Sequence, residues 1–424
     1  MPAQAGEDKA AESCIQGVQP GKSEEVRYVA CQPILDLQGH VHAYDLLFRN
    51  TPGALVRRDC DVAVETMLDN ELLFGLERLS NGLPAFVSCS GEALTDDLVL
   101  VLAPSLTVLA VPAALEPAPR LVDACRALKA RGFRLALDGF CWRENLSVLL
   151  DRADYVRLDF RQLGAAERQQ LVQRGPDSIA MVAQRVETDE DYLKARALGF
   201  TLFQGDYLCH PVLLKKKKIP ANRLYHFEIV RELYRDPLDV RKVSNLVRSD
   251  AALMYRLLRL ANSPIYGLYQ EVRSIETAIR MLGEDAFRRV VSVAVLSELN
   301  AGRPGEILQM GLLRGRFCEL AAQSFRLDPN EQYILGMFSL LPAMLCVPME
   351  EIVPNLPFRP EIRRALSGIA NPERSPLGWL EFHERCDWEA CDRIVSACGA
   401  NGGQLALSYE EALIWAAAAS PGVA

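Results

Sequence analysis

Short apolar runs that each end near a polar residue recur between Tyr28 and Pro211, and they constrain the fold of this chain more than any other feature. The runs are PAFVSCS, LTVLAV, FRLALD, YVRLD, IAMVAQ and FTLFQ. Segments with helical spacing separate several of them, such as residues 120–129 and 190–198, which are followed by Gly132 and Gly199. Strands that alternate with helices pair in parallel, and continuously apolar strands are buried on both faces. This pattern predicts a closed β/α barrel over residues 27–211.

The polar residues at the strand ends are the candidate functional residues of this barrel. In a β/α barrel such residues point into one mouth, so we expect one shared pocket. The residues concerned are Asp45, Ser88, Asp138, Asp159, Gln184 and Gln204. In the stretch YDLLFRN we expect Asp45 to follow a strand, with Arg49 one helical turn further on. The pattern indicates either a metal site or what remains of one.

The residue composition changes at the four lysines of residues 215–218. They repel one another and are followed by Pro220, which disfavours helix at the preceding residue. A short basic run without aromatic partners favours a solvated linker over a patch for nucleic acid or phosphate. We therefore expect a basic linker at 212–221.

Beyond this linker the strand signals vanish, and residues 222–424 predict an all-helical domain with a C-terminal helical extension. A helix is predicted over 252–261 with Ser249 or Asp250 as its N-cap, and another over 286–296. Ser408 and Glu411 have the spacing of a capping box for the last helix. The overall fold class is thus α/β followed by all-α.

Composition excludes several classes of function. The net charge of −8 argues against nucleic-acid or anionic-membrane binding, and no apolar run is long and uninterrupted enough to cross a bilayer. Residues 1–26 are polar, without a signal-peptide pattern, and predict a disordered leader. The twelve cysteines are scattered without a CxxC pair, which indicates reduced thiols and a cytoplasmic protein. The group His383, Cys386, Cys391 and Cys398 fits no standard zinc template.

Two regions of the chain resemble known families. Residues 28–211 resemble the EAL domain, a β/α barrel that in active members hydrolyses cyclic di-GMP. Residues from 219 onward resemble the HDOD domain, a helical output module related to HD hydrolases. The HDOD motifs are SDAAL at 249–253, LLRLANS at 257–263, Tyr266-Gly267, Ser274-Ile275, Ala278-Ile279 and Leu282-Gly283.

The EAL resemblance implies a set of metal-binding and catalytic positions, and this chain departs from most of them. The family's first glutamate is Asp45, its asparagine is Ser88, and its next glutamate is Ala110. Asp138 is followed by Gly139 where the family has a second aspartate.

Of the remaining positions, two are changed and three keep the family residue. The family lysine is Arg157 and the general-base glutamate is Gln184, whereas Asp159, Glu187 and Gln204 are retained. Loss of a general base alone typically costs about 10²–10⁴-fold in rate. We therefore expect no catalytic residues and no resident metal or other cofactor in this barrel.

Binding without cleavage stays open. Gln32 and Arg49 match residues of the family, of which the arginine contacts a ligand phosphate, and a guanidinium can hold phosphate without a metal. The alternative is that Arg49 pairs with a local carboxylate, and that Arg157 and Arg185 pair with the buried aspartates. The candidate ligand-binding or vestigial-site residues are Gln32, Asp45, Arg49, Asp138, Asp159, Glu187 and Gln204.

The helical region offers no second hydrolase site, because it contains only His226 and His383 and neither precedes an aspartate. The lost site residues predict a non-catalytic signalling protein, with the barrel as sensor or scaffold and the HDOD domain contacting signalling or regulatory proteins. The resemblance implies a class associated with motility and biofilm formation. Cyclic di-GMP binding and a homodimer stay open. The alternative is a weak phosphodiesterase that uses Mg²⁺ or Mn²⁺ with Asp45, Asp138, Asp159 and Glu187.

Overall fold

The computed structural model describes residues 28–49, 76–77, 79–140, 146–159, 164, 179–205, 207 and 221–419. The predicted leader and nearly all of the predicted basic linker lie outside the described residues. Ala221, the last residue of that linker, already begins a helix.

Eight strands close into a barrel in chain order, which confirms the predicted fold of the N-terminal region. The strands are β1 Tyr28–Leu35, β2 Val41–Arg49, β3 Ala85–Ser88, β4 Thr107–Pro112, β5 Arg134–Asp138, β6 Tyr155–Asp159, β7 Ala180–Gln184 and β8 Leu202–Gln204. Strands β2 to β8 pair in parallel. Four described helices accompany them: α1 Gly91–Thr95, α2 Pro119–Ala130, α3 Ser147–Leu150 and α4 Asp189–Ala197.

Strand β1 is the exception to this parallel pairing, because it runs antiparallel to both β2 and β8. The connection from Leu35 to Val41 is too short for a crossover, so β1 and β2 form a hairpin. In its turn the Asp36 carboxylate accepts hydrogen bonds from the backbone N–H groups of Gln38 and His40, at 2.8 and 2.9 Å.

This hairpin corrects the expectation for the YDLLFRN stretch. Asp45 does not follow a strand; it lies in the middle of β2, opposite Gln32 of β1. Arg49 is the last residue of the same strand and is not one helical turn further on. An isolated acid in an apolar run looks like a strand end in sequence, but here the barrel interior supplies its partners.

Thirteen helices fill residues 221–419 and confirm the all-helical C-terminal region. They are α5 Ala221–Leu233, α6 Val240–Arg248, α7 Ala251–Ala261, α8 Ile275–Leu282, α9 Glu284–Leu299, α10 Gly305–Phe325, α11 Pro329–Phe338, α12 Leu341–Leu345, α13 Met349–Ile352, α14 Pro360–Leu366, α15 Ser375–Glu384, α16 Trp388–Cys398 and α17 Gly402–Ala419. Among the helices that the structure describes, none alone has the length and apolar composition of a membrane span; one pair bent by 108°, Pro329–Leu345 with Met349–Asn355, has them jointly.

Two helix starts test the capping predictions. Asp250 caps α7, because its carboxylate accepts hydrogen bonds from the backbone N–H groups of Ala252 and Leu253. The capping box at Ser408 and Glu411 is wrong, since both residues lie inside α17. That helix begins earlier, where the Asn401 side chain accepts from the backbone N–H of Gln404 at 3.2 Å.

The barrel and the helical region share an interface along β1. The Nε2–H of His383 in α15 donates to the Val29 carbonyl at 3.0 Å, and the backbone N–H of Cys31 donates to the Tyr409 hydroxyl at 3.3 Å. The imidazole of His383 stacks on Trp379 and is completely buried. Ala30 packs within the hydrophobic core of the helices. Strand β1 is therefore both a wall of the barrel and a docking strand for α15 and α17.

Candidate ligand site at the barrel mouth

The side chain of Arg157 lies at the centre of the barrel mouth. It extends inward from β6, is only 2% exposed, and its guanidinium lies 5.3 Å from the ring centre of Phe86. Its Nη2 is hydrogen-bonded to Oδ2 of Asp45, and its Nε lies 3.4 Å from Oδ1 of Asp138. One buried cation thus stands between carboxylates from β2 and β5.

Two amides complete the shell around this cation. Gln204 accepts from Nη2 of Arg157 at 3.3 Å and donates to Oδ2 of Asp45 at 2.9 Å. Gln184, turned so that its oxygen faces the guanidinium, accepts from Nε at 3.0 Å and from Nη2 at 2.7 Å. The guanidinium therefore has acceptors from four strands, β2, β5, β7 and β8.

Burial dominates the electrostatics of the cluster. It raises the pKa of Asp45, and the nearby charge of Asp138 adds to this effect while Arg157 opposes it. Burial alone would lower the pKa of Arg157, but the two carboxylates outweigh it and the pKa is raised. Arg157 is therefore a permanent cation. Oδ1 of Asp45 and Nη1 of Arg157 are buried without a hydrogen-bond partner among the described residues.

The other predicted site residues have different surroundings. Asp159 ends β6 and pairs with Arg185 at 3.4 Å. Ser88 ends β3 directly opposite Ala110 of β4, which has no ligating atom. Glu187 is partly buried after β7. Arg49 ends β2, and its side chain lies outside the described part of the structure.

Gln32 connects the cluster to the helical region, a contact that the sequence analysis missed. Its Oε1 accepts from Nε2 of Gln204 at 2.7 Å, and its Nε2 donates to the backbone carbonyl of Glu384 at 2.7 Å. The Glu384 carboxylate in turn is bound by Arg314 of α10 at 3.1 and 2.6 Å. Hydrogen bonds thus lead from Arg157 through Gln204 and Gln32 to the backbone of Glu384, whose side chain is bound by α10. No local sequence pattern could have indicated this connection.

The residues at the mouth do not fit a pair of divalent cations. Such cations need several oxygen ligands each, but the two carboxylates at the centre, Asp45 and Asp138, already bind Arg157. Among the described residues, no group of three or more histidines, cysteines, aspartates and glutamates has a metal-holding arrangement. In the group named from sequence, His383 is bonded to Val29 and the Cys391 thiol donates to the Trp379 carbonyl.

Comparison with known proteins shows the family. The HDOD domain profile matches residues 219–344, which end within α12. The cyclic di-GMP phosphodiesterase CdgJ of Vibrio cholerae is 30% identical over 375 residues, which cover 86% of this chain and 87% of that protein. The uncharacterized protein YuxH of Bacillus subtilis is 29% identical over 405 residues, covering 92% and 97% of the two chains. A solved structure of Klebsiella pneumoniae BlrP1, a manganese and cyclic di-GMP complex, aligns at 24% identity with a TM-score of 0.36, over 44% of this chain and 55% of that one. This chain belongs to the family of proteins in which an EAL-type barrel precedes an HDOD domain.

Proposed function

We propose that this protein is a non-catalytic signal-transduction protein, in which the barrel is a sensor or scaffold and the HDOD domain is the output. The observation that carries the proposal is the position of Arg157, whose guanidinium holds both Asp45 and Asp138 at the barrel mouth. A divalent cation there would have to displace a paired guanidinium or share its carboxylates with it. Either event leaves a buried charge without full compensation, which is costly.

The loss of proton-transfer chemistry also supports the proposal. The residue at the general-base position is Gln184, and an amide cannot take a proton near neutral pH. With its amide turned so that the oxygen faces Arg157, Gln184 accepts from the guanidinium. Ala110 supplies no ligand at the corresponding position of β4. CdgJ is named a phosphodiesterase, and we propose that this chain has kept the family's architecture without that activity.

The route from barrel to helices supports a signalling role. Gln32 takes part in the hydrogen bonds of the barrel mouth and also bonds to Glu384 in α15. A ligand that rearranges Gln204 or Asp45 would therefore alter a contact of the helical domain directly. Coupling of this kind requires a ligand that binds two arrangements with different affinity.

We propose cyclic di-GMP as the candidate ligand, with Arg49 as the cation available for one of its phosphates. We further propose a cytoplasmic protein partner for the HDOD domain, with regulation of motility as the output that the family resemblance favours. Neither Mg²⁺ nor Mn²⁺ is needed in this account. The alternative is a weak phosphodiesterase that uses one of these metals with Asp45, Asp138, Asp159 and Glu187.

Turnover of cyclic di-GMP by the purified protein with Mg²⁺ or Mn²⁺ separates the two functions. We expect no linear dinucleotide product above a protein-free control. Turnover that disappears in Asp138→Asn would establish the phosphodiesterase instead. Calorimetric titration with cyclic di-GMP then tests the sensor role: heat of binding that is reduced in Arg49→Ala supports it, and no heat in either protein leaves a scaffold only.

A further inference from the structure

A pocket lies between the barrel and the helical domain, on the outer face of β1 and β2. Neighbouring residues of a strand point to opposite faces, so Asp45 faces the barrel interior while Tyr44 faces this pocket. Helices α10 and α17 form the other side. The pocket is open at its mouth, and its empty space counted together with the solvent there is about 870 Å³. It is therefore separate from the Arg157 cluster, although Gln32 borders both.

The walls of the pocket are mainly apolar. Leu35 comes from β1, Met310 and Leu313 come from α10, and Leu413 and Ala417 come from α17. Two charged residues are present, Glu306 and Glu384, and Glu384 is already bound by Arg314. The described lining contains no lysine, arginine or histidine. A phosphate or carboxylate ligand would have no cation to meet here.

Glu306 is the unusual group in this lining. It lies in the first turn of α10, its residue is 8% exposed, and it makes no hydrogen bond or ion pair with any residue that the structure describes. Burial raises its pKa to about 7. Tyr44 lines the same pocket, and the charge of Glu306 contributes to the raised pKa of the Tyr44 hydroxyl. Glu306 lines the pocket, and a cation there would offset the cost of holding its carboxylate among apolar walls.

We propose that this pocket is a second ligand site, which takes an apolar molecule bearing a protonated amine, and that Glu306 holds the amine. The apolar body lies against the α10 and α17 side chains, and the ammonium group donates to the carboxylate. Apolar walls with one or two placed polar groups are the usual composition of a small-molecule site. Because Gln32 and Tyr409 also line the pocket, its occupant would touch two of the residues that join β1 to the helices. Binding at this site would therefore depend on how β1 and the helices are arranged at their interface.

This proposal goes beyond the function proposed above and is independent of it. The test uses the full chain at pH 8 and three probes of similar shape: 2-phenylethylamine, 2-phenylethanol and 3-phenylpropionate. We expect calorimetry to show the amine binding roughly tenfold or more tightly than the alcohol, as one charge-assisted hydrogen bond provides, and no binding of the anion. None of these probes is a substrate for hydrolysis, so failure here and failure of the proposed function are distinguishable.

Two variants and a control localise the binding. Glu306→Gln should reduce the affinity for the amine to that for the alcohol. Ala417→Phe should remove the binding of both probes by filling the pocket. Glu350→Gln is the matched control, because Glu350 also lies in a first helical turn but is exposed, and it should bind like wild type.

The wild-type measurements stand even if a variant fails to fold, which circular dichroism would reveal. An amine that binds no more tightly than the alcohol to wild type, or not at all at millimolar concentration, overturns the proposal. Unchanged amine affinity in folded Glu306→Gln also overturns it.

Discussion

Replacing Arg157 by methionine tests the ion-pair cluster at the barrel mouth. The side chains of Arg157, Asp45 and Asp138 are 2%, 3% and 9% exposed. Removing one partner of a buried ion pair typically costs about 3–5 kcal/mol, because a charge is left without compensation. Here two carboxylates lose their partner while methionine retains most of the apolar stem. We therefore expect Arg157→Met to lower the free energy of unfolding of the barrel by about 4 kcal/mol.

The loss should depend on pH in a defined direction. Burial already raises the pKa of Asp45, and Arg157 opposes that rise, so removing Arg157 raises the pKa further. The pKa of such a carboxyl group is higher in the folded protein than in the unfolded chain, where it is about 3.9. The group therefore contributes its full stabilisation below pH ~3.9, and this stabilisation is lost as the pH rises through the folded pKa. The deficit of Arg157→Met should thus be full at neutral pH and shrink towards pH 4.

Urea unfolding followed by circular dichroism, with calorimetry to separate the transitions of the two domains, measures these effects. Arg134→Met is the control, because Arg134 also lies on a barrel strand but bonds to the Ser105 carbonyl at the surface; it should cost less than about 1 kcal/mol. Arg157→Lys keeps the charge but loses the planar fork, and it should fall between the two. A deficit below about 1 kcal/mol for Arg157→Met, or one that is the same at pH 8 and pH 4, would refute the reasoning.

Three further predictions concern the interface and the helical core. Gln32→Ala removes hydrogen bonds on both sides of β1 and should cost about 1–3 kcal/mol, with faster hydrogen exchange in this strand; unchanged exchange would speak against coupling. Burial lowers the pKa of His383 to about 4, so as the pH falls this histidine takes up a proton in the unfolded chain before it does so in the folded protein. The free energy of unfolding should therefore fall by about 3 kcal/mol from pH 6.5 to pH 4. His383→Gln should abolish that part of the pH dependence, and a curve that matches wild type would exclude His383 as its source. Gly336→Ala places a Cβ 2.2 Å from the Arg314 carbonyl oxygen and should lower the free energy of unfolding by about 3 kcal/mol or more. The control Gly305→Ala places its Cβ in open space and should be nearly neutral. Equal melting temperatures of the two variants would contradict this prediction.

The parts of the fold that follow from periodicity could be predicted from sequence. The apolar runs of five to seven residues correspond to β3 to β8, and the helices predicted over 252–261 and 286–296 correspond to α7 and α9. The Asp250 N-cap was also predictable, because a cap is a local interaction. The capping box failed because a Ser and a Glu three residues apart also occur inside helices, and Asn401 upstream offered the better start.

The candidate site could be predicted only in part, because its decisive contacts are not local. Sequence identified Asp45 and Asp138 and named Arg157 as one partner available to them. Sequence could not place Arg157 at the centre of the cluster, because that position depends on how far β2, β5 and β6 are shifted relative to one another along the barrel. The contact between Gln32 and Glu384 joins residues 352 positions apart. Such pairings depend on how two domains dock, which no spacing within one segment records.

Titration of the purified protein with Mn²⁺, followed by electron paramagnetic resonance of the free ion, tests the central claim most directly. The claim is that Arg157 occupies the two carboxylates, Asp45 and Asp138, that a metal ion at the barrel mouth would need. We predict that all added Mn²⁺ remains free at millimolar concentration, with or without cyclic di-GMP. Binding of one or two equivalents of Mn²⁺ that is lost in Asp138→Asn would contradict the account.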